Sequence, residues 1–395
     1  MSRRAILVLG RGVSGRAAEK LARALGWAVV VCDDSAPLPP RGGDGFACAV
    51  VSPGLALSHP LVVECRARGI PLKSELAFGC EELKRRGWKL LAVTGSKGKS
   101  SVVKLCADAL CGVPCGNYGT PVCEVAERRE ETRGKNEEKW AVVEVSSFMM
   151  ETTDLPADTF EAAAILNLQE DHLDRHGGVE VYHALKRKLL TMTRHPVDGV
   201  KADASVRALV RGSYFDNEVL RGNAAAAVSL LRSAGLDDAR IRQAFIDFEP
   251  LPHRMNLIAE VDGVRYVDDS KATSLAALAA GVEMAASDDR PVLLIAGGLP
   301  KGDEPRSVLP VLTDRVKKVY LIGQCAEVFF AAWESAVDCE ICGLMELAVR
   351  SARRDAVKGE TVLLSPGTAS YDQFKSFGER GDVFAALIKK ERKDE

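Results

Sequence analysis

Three α/β units in tandem are the architecture this sequence predicts, and three observations predict it. A glycine-rich turn follows an apolar run across Ala5–Gly15, and a second follows another across Leu90–Ser101. From Leu251 onward, short apolar runs alternate with helical patterns as far as Lys390. The expected order is a Rossmann-like N-terminal domain (1–87), a central domain of the phosphate-loop ATPase type (88–250) and a C-terminal Rossmann-like, doubly wound sheet (251–395). A chain of 395 residues has room for two or three domains at a prior of ~150 residues each.

Composition narrows the function classes. Hydrophobic residues make up 47% and charged residues 27%, the balance of a soluble globular protein. A net charge of −2 argues against nucleic-acid or anionic-membrane partners. After Met1–Arg4 the first apolar run is only Ala5–Leu9, no signal pattern, and no apolar segment approaches the ~20 residues that span a bilayer. Eleven cysteines, an odd number scattered through predicted strands and helices, suit a reducing compartment, so a cytoplasmic protein is expected. Cys339-Glu-Ile-Cys342 is a lone CxxC with no second pair, a poor zinc signal.

The N-terminal unit reads as a strand, then GxGxxG at Gly10, Gly12 and Gly15, a helix from Arg16 to Leu25, and a strand Ala28–Cys32 ending on Asp33. That is a dinucleotide-binding fingerprint with its acidic residue in place. The unit then closes quickly: a strand Phe46–Val51, a turn Ser52-Pro53-Gly54, a helix Pro60–Arg68, and a linker at Lys84–Gly87. A unit this small can grip a nucleotide diphosphate without hydride chemistry.

The central unit opens on strand Leu90–Val93, the loop Thr94–Ser101 and a helix from Val102. Strand, tight loop and helix start wrap backbone N–H groups around a phosphate. Lys99 would reach the β- and γ-phosphates and Ser100 would sit on Mg²⁺. Val93 stands where the full Walker spacing has glycine, so the loop is a shortened TGxxGKS, and an ordinary strand–turn–helix corner is the alternative. Strand Trp140–Val145 carries Glu144, a carboxylate suited to Mg²⁺ beside a phosphate loop. Strand Ala162–Leu168 runs into Asn167–His176, rich in acids and imidazoles; His172 and His176 alone make a weak zinc pair. Glu127–Lys139 reads as a solvated charged loop, Tyr182–Met192 as an amphipathic helix bearing Lys186 and Lys188, Asp198–Asp216 as poorly patterned, and Leu220–Leu231 as a helix with Asn223 on its first turn.

The C-terminal unit reads as Arg265–Val267, Leu275–Ala286, Val292–Ala296, Val319–Ile322, Leu344–Val357, Thr361–Leu364 and Phe377–Lys390. Its strand-end loops, Asp268–Thr273, Gly297–Gly302 and Ser365–Ser370, are small, polar and able to hold anions.

TGSKGKSS, EVSSF at Glu144–Phe148, NLQEDHLDRH at Asn167–His176, LPHR at Leu251–Arg254, DDSKAT at Asp268–Thr273 and SPGTASYDQFKSF at Ser365–Phe377 occur in the order seen in Mur ligases, and the chain resembles that family over nearly its whole length. The last three blocks are similar to the branch that adds D-glutamate to UDP-N-acetylmuramoyl-L-alanine in peptidoglycan precursor synthesis. The resemblance implies an ATP-dependent amide ligase working through an acyl phosphate, with two Mg²⁺ sites, small-molecule substrates and a monomeric state.

By that resemblance ATP is held at Gly95, Ser96, Lys97, Gly98, Lys99, Ser100 and Ser101, with Asn223 at the adenine, Asp269 at the ribose and Arg254 at the phosphates. Ser100 and Glu144 hold one Mg²⁺, and His172 a second that bridges phosphate and the carboxylate of the UDP-sugar. His253 and Lys271 share the cleft, and closure of the domains brings the C-terminal residues onto ATP. Val13, Ser14, Asp33, Ser52 and Asn117, with His172, match the UDP-sugar site. Thr273, Lys301, Ser370 and Phe377 match the D-glutamate site. Lys99, Lys186, His172 and Lys271 match catalytic positions. Lys186 matches a lysine carbamylated in the family, a reaction of the neutral amine that burial favours. Three departures stand out: Asp33-Asp34-Ser35 lacks an expected guanidinium, the Lys186–Asn223 segment is short, and Lys97 stands where many relatives have Asn.

Two other classes compete. An NAD-linked oxidoreductase would use Gly10–Asp33 but leave the second phosphate loop idle. A non-catalytic ATP switch would have no use for an amino-acid pocket. Within the ligase class, the rival is a relative that adds a different amino acid.

Overall fold

A computed structural model describes residues 5–39, 45–128, 138–169, 173–286, 290–300, 302 and 304–390. The chain divides into two compact units, Met1–Phe248 and Glu249–Glu395.

The first unit holds two parallel sheets. Strands β1 (Ala5–Leu9), β2 (Ala28–Cys32), β3 (Phe46–Val51) and β4 (Leu72–Ser74) run in the order β2-β1-β3-β4. The order reverses at β1, which puts the glycine turn at a switch point, where open α/β sheets bind ligands. The following helix is Val13–Ala24, beginning inside the glycine motif rather than at Arg16. Gly15 lies so close on the Gly10 carbonyl that a Cβ would overlap it, and this closes the turn early. Lys84–Gly87 is not a linker: Lys84 and Arg85 end a helix, Glu75–Arg85. Glu82 there binds Arg85 and Arg86 at 2.7 and 2.6 Å, and Gly87 leaves the helix at φ +78°.

Strands β5 (Lys89–Thr94), β6 (Val113–Gly116), β7 (Trp140–Glu144), β8 (Phe160–Ile165) and β9 (Thr193–Asp198) form the second sheet, ordered β6-β7-β5-β8-β9. β5 is central and β7 is buried throughout, as parallel strands covered on both faces must be. The helix after β5 starts at Lys99, not Val102. Lys186 lies on Val179–Lys188, which tightens into a 3₁₀ turn over Leu189–Met192 instead of continuing as one α-helix. The poorly patterned stretch after Asp198 contains helix Ala204–Val210. One apolar core runs from Ile6, Val8 and Leu21 through Leu76 and Val122 to Leu90, Ala141 and Phe160, so the two sheets share their packing.

In the second unit, β10 (Asn256–Val261), β11 (Val264–Asp268), β12 (Val292–Gly297), β13 (Val316–Ile322), β14 (Asp338–Gly343) and β15 (Thr361–Leu364) are ordered β10-β11-β15-β12-β13-β14. Only β10 is antiparallel to its neighbour. Cys339 and Cys342 on β14 pack against the cores of opposite faces, as residues three apart on a strand must, so the CxxC is not a shared site. Among the described residues, no helix is long and apolar enough to cross a membrane, and no group of three His, Cys, Asp or Glu is placed to hold a metal.

Candidate functional site

The phosphate loop sits at the C-terminal end of β5 and is pinned from β8. Gly95 and Gly98 have φ of +152° and +80°, which L side chains rarely adopt, and a Cβ on Gly98 would overlap the Asn223 amide. Asn167 grips Lys97 from both sides: its Oδ1 accepts from Lys97 N at 2.9 Å and its Nδ2 donates to Lys97 O at 2.9 Å. Ser96 Oγ donates to Gln169 O at 3.0 Å and lies 3.1 Å from the Tyr182 hydroxyl. Lys99 Nζ folds over the loop, donating to Gly95 O and Ser96 O at 2.8 and 3.0 Å. Ser100 is half-buried and Ser101 buried on the first helical turn, and Asn223 is buried beneath Gly98. Every loop residue named from the sequence thus falls in one structure with Asn223.

Two further side chains close on it. Lys186 is 2% exposed, donates to Gly95 O at 2.9 Å and places its Nζ 4.6 Å from the centre of the Tyr182 ring. Lys188 points elsewhere, donating to Thr153 O at 2.6 Å. Glu144, at the end of β7, is 2% exposed; its Oε1 accepts from Asn117 Nδ2 at 2.7 Å, while Oε2 is buried with no hydrogen-bond partner among the described residues. A buried carboxylate oxygen with no hydrogen-bond partner fits the donor chemistry of a divalent cation. His172 lies outside the described residues. His176 is no zinc partner: its ring contacts Ser147 Oγ at 3.0 Å and Glu151 at 3.3 Å.

A cavity of about 470 Å³ lies over the glycine turn. Val13, Ser14, Asp33, Ser52 and Asn117 all line it, with Gly10, Arg11, Gly12, Asp34, Pro53–Leu55, Glu75 and residues of the central sheet's loops. Ser52 Oγ is buried there with no hydrogen-bond partner among the described residues, against Gly10 and Gly15. Ser35 caps Asp33 through N–H and hydroxyl, and Arg11 pairs with Asp33 at 2.7 Å. The Ser35 hydroxyl, then its N–H and Arg11, hold the Asp33 carboxyl below its usual range. Arg11 therefore supplies a guanidinium where Asp33-Asp34-Ser35 has none. Glu75 is 1% exposed and accepts from Cys123 N at 2.6 Å; burial pushes its carboxyl up to about 7.

The second unit gathers its own set around the end of β11. His253, at φ +61°, lies 2.7 Å from Asp268 Oδ2, and Gly381 packs so closely that a Cβ would overlap both. Lys271 Nζ is 3.9 Å from the centre of the Phe377 ring, which also meets His253 edge-on. Asp269 accepts from Ser365 Oγ at 2.9 Å; burial lifts it to about 7, with Arg254 among the groups opposing the rise. Thr273 is half-buried ahead of helix Leu275–Ala285, and Ser370 is buried. Lys301 lies outside the described residues. Arg380, wholly buried, ties the two loops together by donating to Ser270 O at 2.9 Å, Thr368 O at 3.1 Å and Ala369 O at 3.3 Å. Burial lowers this guanidinium to about 10.

Comparison with known proteins follows the same two regions. A model of the Mur ligase middle domain matches residues 93–208, and one of the Mur ligase, glutamate ligase domain matches 253–367. A protein of Nitratidesulfovibrio vulgaris named UDP-N-acetylmuramoylalanine--D-glutamate ligase is 35% identical, covering 97% of this chain and 95% of its own length. Proteins of the same name from Acidobacterium capsulatum and Chlamydia abortus are each 32% identical, covering 97% and 98% of this chain. The chain belongs to the Mur ligase family.

Solved Mur ligases agree in fold. UDP-N-acetylmuramate-alanine ligase of Thermotoga maritima superposes with a TM-score of 0.58 at 15% identity over 99% of this chain and all of the other. MurF ligase of the same organism, solved with ADP, gives 0.58 at 16% identity, covering 99% and 96%. In this Mur ligase the alignment with the Acidobacterium relative runs over 454 positions against 395 residues here, so that relative carries residues this chain lacks. Arg11, Tyr182 and Arg380 carry site geometry that no motif marks, and Asn167, the first residue of the NLQEDHLDRH block, carries a role that the block did not assign. Asn167 is the one with a signal, being a small amide just past the C-terminal end of β8.

Proposed function

We propose that this Mur ligase adds D-glutamate to UDP-N-acetylmuramoyl-L-alanine at the expense of ATP. The observation that carries the reading is the pairing, in one chain related end to end to D-glutamate ligases, of a pinned phosphate loop with a glycine-turn cavity. The L-alanyl carboxylate attacks the γ-phosphorus of ATP and ADP leaves. The amine of D-glutamate then attacks the acyl phosphate, loses a proton and expels phosphate. Little of this is covalent work for the protein, which positions and neutralises charge.

The loop amides and Lys99 hold the β- and γ-phosphates, with Asn223 toward the adenine. Ser100 and Glu144 suit a Mg²⁺ ion, and His172 is offered to a second; bound Mg²⁺ would neutralise charge on the transferring phosphoryl oxygens. The Lys186 amine, buried between Gly95 and the Tyr182 ring, adds to CO₂ and releases a proton, giving a carbamate and turning a cation into an anionic ligand. Val13, Ser14, Asp33, Ser52 and Asn117 hold the UDP-sugar in residues 1–87 and the adjoining loop. Residues 88–250 serve ATP. In residues 251–395, Arg254, Asp269 and Lys271 serve the nucleotide and phosphates, while Thr273, Lys301, Ser370 and Phe377 serve D-glutamate. In this reading the enzyme works as a cytoplasmic monomer on small molecules. An NAD-linked reading has no use for the second phosphate loop.

The test is mass spectrometry of the product with Mg-ATP, D-glutamate and the UDP-sugar. One glutamyl addition per ADP is expected, abolished by Lys99→Ala without loss of a cooperative melt. Substantial activity in a folded Lys99→Ala would refute the assignment.

A further inference from the structure

Arg175 makes a set of contacts, across long sequence separations, that the phosphate chemistry does not use. Its guanidinium donates to three successive carbonyls, Pro53 at 3.3 Å, Gly54 at 3.3 Å and Leu55 at 2.8 Å. The same group grips both oxygens of Glu151, at 3.0 and 2.8 Å, and lies 4.9 Å from the centre of the Phe148 ring. Glu151 is 8% and Arg175 16% exposed at the side chain, so the pair is largely shielded from water. The carbonyls belong to the tight turn that Leu55 N closes on Ser52 O at 3.0 Å. Pro53, Gly54 and Leu55 line the glycine-turn cavity, and Ser52 shows it a buried hydroxyl with no hydrogen-bond partner among the described residues. In sequence Arg175 stands three residues after His172. Glu151 ends the short helix Ser147–Met150 that follows Glu144.

We propose that Arg175 is a positioning residue for the UDP-sugar: it locks the Ser52–Leu55 turn of the cavity to the segment that carries Glu144. This rests on the reading of the cavity as the UDP-sugar site. A planar guanidinium is suited to the task, because its fixed fork of five donors can meet a carboxylate and several carbonyls together. A lysine keeps the charge opposite Glu151 but not the fork. Without the clamp, the turn is free to shift relative to the reacting carboxylate, and displacements of about 1 Å cost ~100-fold in well-positioned sites.

The experiment is calorimetric titration of the wild type, Arg175→Ala, Arg175→Lys and Glu151→Gln, with UDP-N-acetylmuramoyl-L-alanine and separately with Mg-ATP. Hydrogen–deuterium exchange over residues 49–58 accompanies it. Arg175→Ala is expected to weaken UDP-sugar binding by about 10-fold, the scale of losing one charge-assisted hydrogen bond. ATP affinity should stay within about twofold, as for an independent site. Exchange in the turn should speed up, and Arg175→Lys and Glu151→Gln should fall between. Added guanidinium ion should restore part of the UDP-sugar affinity of Arg175→Ala. Wild-type UDP-sugar affinity in Arg175→Ala would overturn the clamp alone, as would equal weakening of both ligands in a protein with a lowered melt. A wild type that binds ATP but not the UDP-sugar would remove the reading of the cavity, and this proposal with it.

Discussion

Lys99 and Lys186 donate to the same oxygen, the Gly95 carbonyl, at 2.8 and 2.9 Å. Two ammonium groups so placed lie within about 6 Å of each other, close enough to repel by a few kcal/mol at an effective dielectric constant near 20. In the proposed reaction, phosphate oxygens near them, or conversion of one amine to a carbamate, would offset that repulsion.

Lys186→Ala should therefore lower turnover by orders of magnitude, and a short-chain carboxylate in the buffer should restore part of it. Lys188→Ala is the internal control. It loses the bond to Thr153 O, worth about 1 kcal/mol of stability, and should keep its rate. Steady-state assays of both variants with and without the carboxylate check this; full activity in Lys186→Ala would remove the carbamate from the account.

Gly98 is held at φ +80° against the Asn223 amide. Gly98→Ala should be strained by about 1–2 kcal/mol in this conformation and must push Asn223 aside as well. Nucleotide titration should show ATP affinity reduced by at least about tenfold while UDP-sugar binding persists.

Glu75 gives a pH dependence whose sign follows from its surroundings. Burial raises its folded-state pKa from 4.5 to about 7. Between these values the folded protein holds a proton that the unfolded chain has lost, so stability falls as pH rises through the window. Cys80, Cys115 and Cys123 beside it are themselves pushed upward by burial and stay neutral there. Asp269, lifted from 3.8 to about 7, acts in the same direction in the second unit. Melting curves from pH 5 to pH 8 should show a decline that Glu75→Gln makes shallower; an unchanged slope would mean that Glu75 does not titrate in this range.

The interior strands were legible because parallel strands covered on both faces must be continuous apolar runs, as Val292–Gly297 and Trp140–Glu144 are. Among the edge strands β2 was read as well, but β4, β6, β9, β10 and β14 were not. β6 and β9 contain Pro114 and Pro196, which only an edge tolerates, and β10 and β14 are partly exposed and broken by charge or glycine. The phosphate loop announced itself through Gly95, Gly98 and Lys99, whose spacing is a local requirement. Contacts made across long separations, such as Asn167 on Lys97 or Arg380 on Ser270, leave no local pattern, because any segment could supply the partner. Arg11 escaped for a related reason: it sits within the glycine motif, while its partner Asp33 lies at the end of the next strand.

The central claim is most directly tested by ADP release from purified protein with Mg-ATP and UDP-N-acetylmuramoyl-L-alanine, comparing D-glutamate with L-glutamate, D-alanine and no amino acid. Release that depends on D-glutamate alone is the expected result. Release with another amino acid, or release indifferent to all of them, would contradict it.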